Sequence, residues 1–220
     1  MKKKVAIILR PDKNMTNKDI FEIYDSIRKI VISYNCIPIA IIPNVLNIES
    51  KLNTLETEEL ITQISICDGI ICQGGDSYYD YDKVIAKYAI DYNIPIFGIC
   101  LGCQLLATIN NQSESLVCME ESLVPNHKIT THMIKILPNS KLYQIIGKEQ
   151  ILVNSFHVEK IINPGIFTPN AFSEDGIIEG LEYNKNIFAL GVQWHPEKDI
   201  DDENNKKLFD AFFESIKNRA

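Results

Sequence analysis

Cys100 lies in the segment of the sequence that carries the clearest signal for chemistry. It follows the apolar run 95–99, and Gly98 and Gly102 flank it two residues before and two residues after. A sharp strand-to-helix turn of this kind exposes a nucleophile, and glycines allow neighbouring backbone to pack close to the turn. The start of a helix also favours a thiolate, because its N–H groups are unpaired and carry partial positive charge. The pattern predicts that Cys100 is a nucleophile.

Two residues that follow Cys100 are expected to assist it. The N–H of Leu101 would point toward an oxyanion forming beside the sulfur. Gln104 comes one helical turn later, and residues at that spacing share a helix face. We therefore expect Gln104 to contact the substrate.

Three other interpretations of Cys100 were weighed against the nucleophile. A buried core cysteine does not explain the flanking glycines. Cys100 and Cys103 form a C-x-x-C pair, which also suits redox chemistry. A zinc site is disfavoured because the sequence has no second cysteine pair. The sequence accordingly predicts neither a metal site nor a cofactor.

His195 is the best candidate for the base that a thiol nucleophile needs. It ends the apolar run 187–194, which predicts a strand whose carboxyl end faces the ligand-binding edge of a parallel sheet. Pro196 fixes the backbone after it, and Glu197 follows at a spacing that lets a carboxylate orient the imidazole. The other histidines that the sequence places on a strand, His127 and His132, are expected to face solvent or to be structural.

Gly74 and Gly75 follow a predicted buried strand, 69–72. A glycine pair lets backbone N–H groups turn toward a developing negative charge, although a plain tight turn has the same signature. No G-K-[ST] sequence follows, so a nucleotide-binding loop of that type is excluded. With the Cys100 turn one β-α unit later, we expect Gly74 and Gly75 to contribute to the oxyanion hole.

A further candidate substrate surface is the end of the predicted strand 150–154. Ser155, Phe156 and His157 follow it and are candidate substrate contacts. A satisfied loop network explains Ser155 and His157 equally well.

The elements needed to position these residues can be predicted from hydrophobic periodicity. In the first half, strands alternate with helices, which favours an α/β fold with a parallel sheet covered on both faces. The predicted strands are 4–9, 37–42, 69–72 and 95–99, and the predicted helices are 19–34, 57–66 (capped by Thr57), 80–92 and 101–110. The second half is richer in strands, predicted at 127–137, 150–154, 167–172, 177–183 and 187–194, with helices at 140–146 (capped by Asn139) and 201–217.

Length and composition limit the function classes. The 220 residues suit one domain, and 45% hydrophobic with 23% charged residues is an ordinary globular balance. A net charge of -7 argues against a nucleic-acid partner. The sequence has neither a run long enough to span a bilayer nor a signal peptide. We expect a cytoplasmic protein without a membrane partner, whose six cysteines are free thiols.

Three motifs together resemble class I glutamine amidotransferases in order and spacing. They are Gly74-Gly75, the segment 98–104 around Cys100, and His195-Pro196-Glu197. Within that superfamily, three further segments are more similar to the gamma-glutamyl-gamma-aminobutyrate hydrolase branch of cysteine peptidases. These are 95–100, 153–157 and 175–179, so the resemblance covers nearly the whole chain.

The resemblance implies a flavodoxin-like three-layer sandwich with a mostly parallel central sheet and a smaller antiparallel region. Residues 1–220 would form a single glutamine amidotransferase type 1 domain. Cys100 would carry a gamma-glutamyl thioester, His195 would serve as base and acid, and Glu197 would orient His195. Backbone N–H groups of Leu101, Gly74 and Gly75 would form the oxyanion hole, and Gln104 would contact the glutamyl group.

Two departures from the hydrolase branch keep the leaving amine open. Leu101 stands where that branch usually has a basic residue, and the loop 76–82 is compact, acidic and aromatic. The expected activity is hydrolysis of glutamine or of a gamma-glutamyl amine, a small-molecule substrate. One alternative is a glutaminase subunit that supplies ammonia to a separate synthetase, and another is a non-catalytic regulatory module. A homodimer and a synthetase partner both remain open.

Overall fold

The computed structural model describes residues 1–110 and 114–219. Thirteen strands lie in these ranges: β1 Lys4–Ile8, β2 Arg10–Lys13, β3 Asp19–Glu22, β4 Ile37–Ile41, β5 Gly69–Cys72, β6 Ile96–Ile99, β7 Leu116–Cys118, β8 Lys128–Ile136, β9 Gln150–Phe156, β10 Glu159–Ile161, β11 Thr168–Ser173, β12 Ile178–Glu182 and β13 Ala189–Val192. The α-helices of the same ranges are α1 Asp25–Ser33, α2 Thr54–Ser65, α3 Asp80–Asp91, α4 Leu101–Ala107, α5 Lys141–Ile146 and α6 Glu203–Asn218.

A nine-stranded sheet within the described ranges organises the fold. Its strand order is β4-β1-β5-β6-β13-β12-β11-β8-β9. The strands from β4 to β13 pair in parallel, and those from β13 to β9 pair antiparallel. The predicted parallel core with a smaller antiparallel region is thereby confirmed. Because β6 and β13 are neighbours, the residues that follow their carboxyl ends, Cys100 and His195, meet at one edge of the sheet.

Helices cover both faces of the sheet and give the predicted three layers. One hydrophobic cluster joins Ile7 of β1 to side chains of α1, α5 and α6, such as Phe212. The other joins Ile8 of β1 to α2, α3 and α4, including Leu105. Burial of successive residues on opposite faces explains why β1 reads as a continuous apolar run. No helix among the described residues is both long and apolar enough to cross a membrane.

The predicted helix 19–34 is wrong in its first part. Residues Asp19–Glu22 form β3, which pairs antiparallel with β2. The turn between them is stabilised by the Asn14 side chain, which accepts hydrogen bonds from the N–H groups of Thr16 and Lys18 at 2.9 and 3.0 Å. Such side-chain bonds compete with helix formation. The helix therefore begins only at Asp25.

Two predicted helix caps are shifted by the structure. Asn53, not Thr57, caps α2, because its side chain accepts a hydrogen bond from the N–H of Glu56 at 3.0 Å. In turn, the Glu56 carboxylate accepts a hydrogen bond from the N–H of Asn53. Ser140, not Asn139, caps α5 by accepting from Tyr143 N–H at 3.0 Å. Both polar neighbours were reasonable caps by residue type, and the backbone geometry at the helix start decided between them.

Candidate active site

Cys100 forms the turn between β6 and α4. Its backbone has φ 52° and ψ −105°, a conformation that L-residues other than glycine rarely adopt. Its N–H donates to Val192 O at 2.9 Å, and Gln104 N–H donates to its carbonyl at 3.1 Å. The parallel strand β13 and the first turn of α4 thus hold the strained residue from both sides. Strain of this kind costs about 1–3 kcal/mol and is concentrated at functional sites.

Gly98 and Gly102 are required by close backbone packing around this turn. A Cβ on Gly98 would lie 2.5 Å from the carbonyl oxygen of Gly102. A Cβ on Gly102 would collide with the carbonyl oxygen of Cys72 on β5. These contacts give the physical reason for the glycine pattern on which the nucleophile prediction was based.

His195 and Glu197 lie together after β13. The Nδ1 of His195 is 2.6 Å from Oε1 of Glu197, and both side chains are buried. His195 immediately precedes a 3₁₀ turn, Pro196–Lys198, which brings Glu197 back toward the imidazole. Burial lowers the pKa of His195, but the Cys100 sulfur and the Glu197 carboxylate raise it more, to about 9. The Cys100 sulfur and the Glu197 carboxylate thus favour a positive charge on the imidazole.

The Gly74-Gly75 loop lies against this group. A Cβ on Gly74 would be 2.8 Å from Cε1 of His195 and 3.7 Å from Cβ of Cys100. A Cβ on Gly75 would be 3.2 Å from Cδ2 of Leu101. The structure therefore brings Gly74 close to His195 and Cys100, and Gly75 close to Leu101.

An ion pair that the sequence did not reveal supports the Gly75 side of the loop. Nη1 of Arg10 donates to Oδ1 of Asp82 at 2.7 Å, and the two side chains are 5% and 0% exposed. The aliphatic part of Arg10 would lie 3.1 Å from a Cβ on Gly75, and its Nη2 donates to Gln73 O at 3.4 Å. Arg10 therefore packs under the loop and restrains it.

Asn154 is a second residue that sequence reasoning missed. Its Nδ2 donates to the carbonyl of His195 at 2.9 Å, and its Oδ1 accepts from the N–H of His195 at 2.8 Å. This pair of bonds fixes the backbone that carries the imidazole. The sequence signal was an amide residue at the end of an otherwise apolar strand.

Gln193 is a third residue that sequence reasoning missed, and it contacts the sulfur of Cys100. Its Nε2 donates to Sγ of Cys100 at 3.6 Å, and the side chain is fully buried. An amide donor at a sulfur stabilises negative charge there. A lone glutamine within the buried apolar run 187–194 was the available signal.

The predicted substrate residues divide between two places. Phe156 contacts the imidazole of His195 edge-on, with ring centroids 5.5 Å apart. Gln104 is buried beside β10, and its Nε2 donates to Glu159 O at 3.4 Å. Ser155 instead donates to the carbonyl of His127 at 2.6 Å, and His157 lies 3.2 Å from the ring of His127. Their side chains join a buried histidine group rather than the sulfur of Cys100.

His127 does not face solvent, contrary to one of the two expectations stated for it. Its side chain is fully buried at the start of β8, and that of His132 is 14% exposed. The alternation predicted along this strand does not apply to His127, because β8 begins only at Lys128 and the His127 ring packs against His157 and Asp175.

Cys103 is not arranged for redox chemistry with Cys100. It is fully buried in α4, and its sulfur would lie 2.8 Å from a Cβ on Gly191. Burial raises its pKa well above the ordinary value, which disfavours the thiolate that disulfide exchange needs. All six cysteines are free, as predicted.

A cavity of about 520 Å³ opens beside the turn and is bordered by Leu101 and Glu159. Its wall carries both signs of charge, from Asp76, Glu114 and Lys83. A second cavity, of about 230 Å³, adjoins Gly75. A small polar molecule can therefore approach the Cys100 turn from solvent.

Comparison with known proteins identifies the family. The family model described as Peptidase C26 matches residues 79–197, which include Cys100, His195 and Glu197. The chain belongs to the Peptidase C26 family. The match begins just before α3 and extends through the His-Pro-Glu turn, and so covers more than half of the chain.

Curated relatives of this C26 chain include a protein named as a glutamine amidotransferase. A putative glutamine amidotransferase of Schizosaccharomyces pombe is 33% identical over 68% of this chain and 70% of its own length. Protein NtpR of Enterococcus hirae is 33% identical over 62% of this chain, and the match spans 61% of NtpR. The Schizosaccharomyces pombe relative and the family match support an enzyme of the glutamine amidotransferase/peptidase C26 type.

A solved structure shares the fold of the C26 chain. The glutaminase domain of Trypanosoma brucei CTPS, solved with bound acivicin, superposes with a TM-score of 0.71 over 97% of this chain and 94% of that domain. The sequences are 17% identical, so this similarity concerns the fold.

Proposed function

We propose that this protein is a cysteine-dependent hydrolase that cleaves a gamma-glutamyl amide bond, in glutamine or in a gamma-glutamyl amine. The observation that carries the proposal is the grouping of Cys100, His195 and Glu197, with the His195–Glu197 contact at 2.6 Å and the cysteine in a strained helix-start turn. Residues 1–220 would act as one glutamine amidotransferase type 1 domain.

The first half of the proposed reaction forms a thioester. The Cys100 thiolate attacks the gamma-carbonyl carbon, and the carbonyl oxygen becomes an oxyanion held by the N–H groups of Leu101 and of the Gly74-Gly75 loop. The His195 imidazolium then gives its proton to the departing nitrogen, and the C–N bond breaks. Ammonia or an amine leaves, and a gamma-glutamyl thioester remains on Cys100.

The second half releases glutamate. His195, now neutral, removes a proton from a water molecule that attacks the thioester carbon, while Glu197 stabilises the imidazolium that forms. The C–S bond breaks, and the thiolate–imidazolium pair is restored. The raised pKa of His195, about 9, supports this cycle because the imidazolium that donates the proton is then present at neutral pH.

The charge of the larger cavity supports a glutamyl group as the acyl part of the substrate. Free glutamine and gamma-glutamyl amines carry an alpha-ammonium and an alpha-carboxylate. Lys83 offers a partner for the carboxylate, and Asp76 and Glu159 offer partners for the ammonium. Gln104 lies next to this region, because its Nε2 donates to the carbonyl of Glu159, and we propose that its amide also contacts the glutamyl group.

A second candidate function is supply of ammonia to a separate synthetase. The fold similarity to a CTPS glutaminase domain, which extends over 97% of the chain, supports this second candidate. It predicts that the isolated protein hydrolyses glutamine weakly and that a synthetase partner stimulates this hydrolysis. A self-sufficient hydrolase would be fully active without a partner.

A substrate panel tests the proposal. Purified protein is incubated with glutamine and with gamma-glutamyl derivatives of neutral, acidic and basic amines, and released glutamate is measured. We expect glutamate from at least one compound and a loss of about 10⁴-fold or more in Cys100→Ala. Cys118→Ala, which changes an exposed cysteine outside the site, should behave like the wild type.

Two outcomes would contradict the proposal. Equal inactivity of the wild type and Cys100→Ala across the panel, with and without candidate synthetases, would remove the hydrolase. Failure of a glutamine-analogue electrophile to label Cys100 would favour a non-catalytic module on the same fold.

A further inference from the structure

A buried histidine group surrounds Glu179 on β12. Oε1 of Glu179 lies 3.3 Å from Nδ1 of His127, 3.3 Å from Nε2 of His132 and 3.4 Å from Nε2 of His157. His127 Nδ1 and His157 Nε2 are 3.2 Å apart. The ligand-type atoms of His127, His132 and Glu179 all lie within 4.8 Å of one another. The three histidines therefore approach Glu179 from β8, from the turn before β8 and from the loop after β9.

The outward nitrogen of each histidine already faces an acceptor. Nε2 of His127 lies 3.0 Å from the carboxylate of Asp175. Nδ1 of His132 lies 2.8 Å from Asn126 O, and Nδ1 of His157 lies 2.9 Å from Glu159 O. A ring nitrogen beside a carbonyl or carboxylate carries the proton, which leaves the other nitrogen of a neutral ring as a lone pair.

The consequence is a group of acceptors that face one another. In the neutral tautomers fixed by these contacts, the three inward nitrogens and the Glu179 carboxylate all present lone pairs. Within the described residues, both oxygens of Glu179 and Nε2 of His132 are buried without a hydrogen-bond partner, although they lie at ion-pair distance. Unpaired buried acceptors cost several kcal/mol in general, so a positive charge is needed between them.

The spacing of these atoms suits a metal ion. Ligands at 2.0–2.2 Å from a tetrahedral centre are about 3.3–3.6 Å apart, and Oε1 of Glu179 lies 3.3 Å from the inward nitrogens of both His127 and His132. Nitrogen-rich ligand sets favour Zn²⁺ and related ions over Mg²⁺ or Ca²⁺, which prefer oxygen. The Asp175–His127 contact also matches the carboxylate–histidine arrangement that orients metal ligands.

We propose that His127, His132 and Glu179 bind a divalent transition-metal ion of the Zn²⁺ type. Nδ1 of His127, Nε2 of His132 and Oε1 of Glu179 are its ligands, and Asp175 and the carbonyl of Asn126 orient the two imidazoles. A cavity of about 390 Å³ lined by His127 and His132 provides a path from solvent. The metal is separate from the Cys100 chemistry.

The position of this group suggests that the metal stabilises the antiparallel half of the sheet. It would join β12 through Glu179 to β8 through His132 and to the turn before β8 through His127, and β8 pairs directly with β9. Strand β9 also carries Asn154 and Phe156, which contact His195. The expected role is therefore structural support for the strand that holds the base.

Metal uptake tests the proposal. Protein without a polyhistidine tag is prepared as Cys100→Ala, so that the reactive thiol cannot bind the metal, then stripped by a chelator and dialysed against Zn²⁺. Mass spectrometry of the eluted metal should give about one Zn²⁺ per chain, and excess Zn²⁺ should raise Tm by roughly 5 °C or more. Bound Co²⁺ should show the visible absorption of a tetrahedral nitrogen-rich site.

Two variants in the same background locate the site. Glu179→Gln keeps the shape and removes the charge, and His132→Gln removes one ligand at a partly exposed position. Each should lower the Zn²⁺ affinity at least tenfold, roughly, and abolish the Tm shift. His195→Gln, which changes a histidine outside the group, should bind Zn²⁺ normally. If Glu179→Gln does not fold by circular dichroism, His132→Gln alone carries the comparison.

Three results would overturn the proposal. One is no Zn²⁺ uptake and no Tm shift in the Cys100→Ala protein, which would mean that protons alone balance Glu179. Another is uptake that is unchanged in both variants. The third is uptake by the wild type that disappears in Cys100→Ala, which would assign the metal to the thiol.

Discussion

Two histidine–glutamate groups lie in this molecule, and they are built differently. At the first, one imidazole is held between one carboxylate and a cysteine, and the cysteine backbone is strained at φ 52°. At the second, three imidazoles face Glu179, and none of its four members has a positive φ. The first is arranged to move a proton, because its partners can exchange charge. The second is arranged to hold a cation, because its outward nitrogens are already committed to acceptors.

The largest expected effect separates the two groups by activity. We expect His195→Gln to lower kcat/KM for the best substrate by about 10³-fold, since it removes the base and acid. His132→Gln, the same change in the other group, should lower it by less than about tenfold. The measurement is a steady-state assay of both variants. Equal losses would show that the histidine group takes part in the reaction.

Asn154 tests how far the first group depends on its support. Asn154→Ala removes both hydrogen bonds to the His195 backbone and should lower kcat by roughly 10–100-fold with little change in KM, because a misplaced base affects the chemical step. Asn154→Asp keeps the acceptor for the N–H of His195 and should recover part of kcat. If only Tm falls in Asn154→Ala, the residue stabilises the fold without positioning the base.

The pH dependence tests the charge on His195. Its pKa of about 9 lies above the ordinary value, so the imidazolium is present at neutral pH and is lost as pH rises through about 9. We expect kcat/KM to fall over that range. In Glu197→Gln the fall should move to lower pH by about one unit or more, because the anion that stabilises the imidazolium is removed.

Comparison of the two profiles controls for the substrate. The alpha-ammonium of a gamma-glutamyl substrate also titrates at alkaline pH, but it does so equally for both proteins. If kcat/KM falls at the same pH in the wild type and in Glu197→Gln, the alkaline decrease is due to the substrate. That result would contradict the role given to Glu197.

The smallest expected effect concerns the strain at Cys100. Cys100→Gly should be more stable to denaturant than Cys100→Ala by about 1 kcal/mol, because glycine tolerates a positive φ and alanine does not. At Cys118, in the regular strand β7, glycine should instead be the less stable replacement. If alanine is equal or better at position 100, the turn is not strained.

The first group could be predicted because its signals are local. Gly98, Cys100 and Gly102 lie within five residues, as the close approaches of their backbones require. His195 and Glu197 are separated by a single proline that folds into one short turn. The alternation of strands and helices then brings the ends of β6 and β13 together. The prediction from local pattern was wrong at residues 19–22, because the apolar residues of a short hairpin there matched helical spacing.

The second group could not be predicted because its members come from distant parts of the chain. A metal site was disfavoured because the sequence lacks a second cysteine pair, which is a local pattern. His127 and His132 were predicted to face solvent or to be structural. Register in the antiparallel half decides their positions: His132 pairs with Val153 across β8 and β9, and a register shift follows Lys128. Small changes in register move side chains to the opposite face, so periodicity alone could not place them.

The sequence by itself therefore determined the α/β architecture, the Cys100 turn and the His-Pro-Glu segment, because each depends on contacts between residues near in the chain. Only the tertiary structure decided that Asn154 and Gln193 support the site, that Ser155 and His157 turn away from it, and that three histidines meet Glu179. These contacts join residues that are 22–93 positions apart in the chain. They form only when the sheet has folded and brought those residues within hydrogen-bond distance.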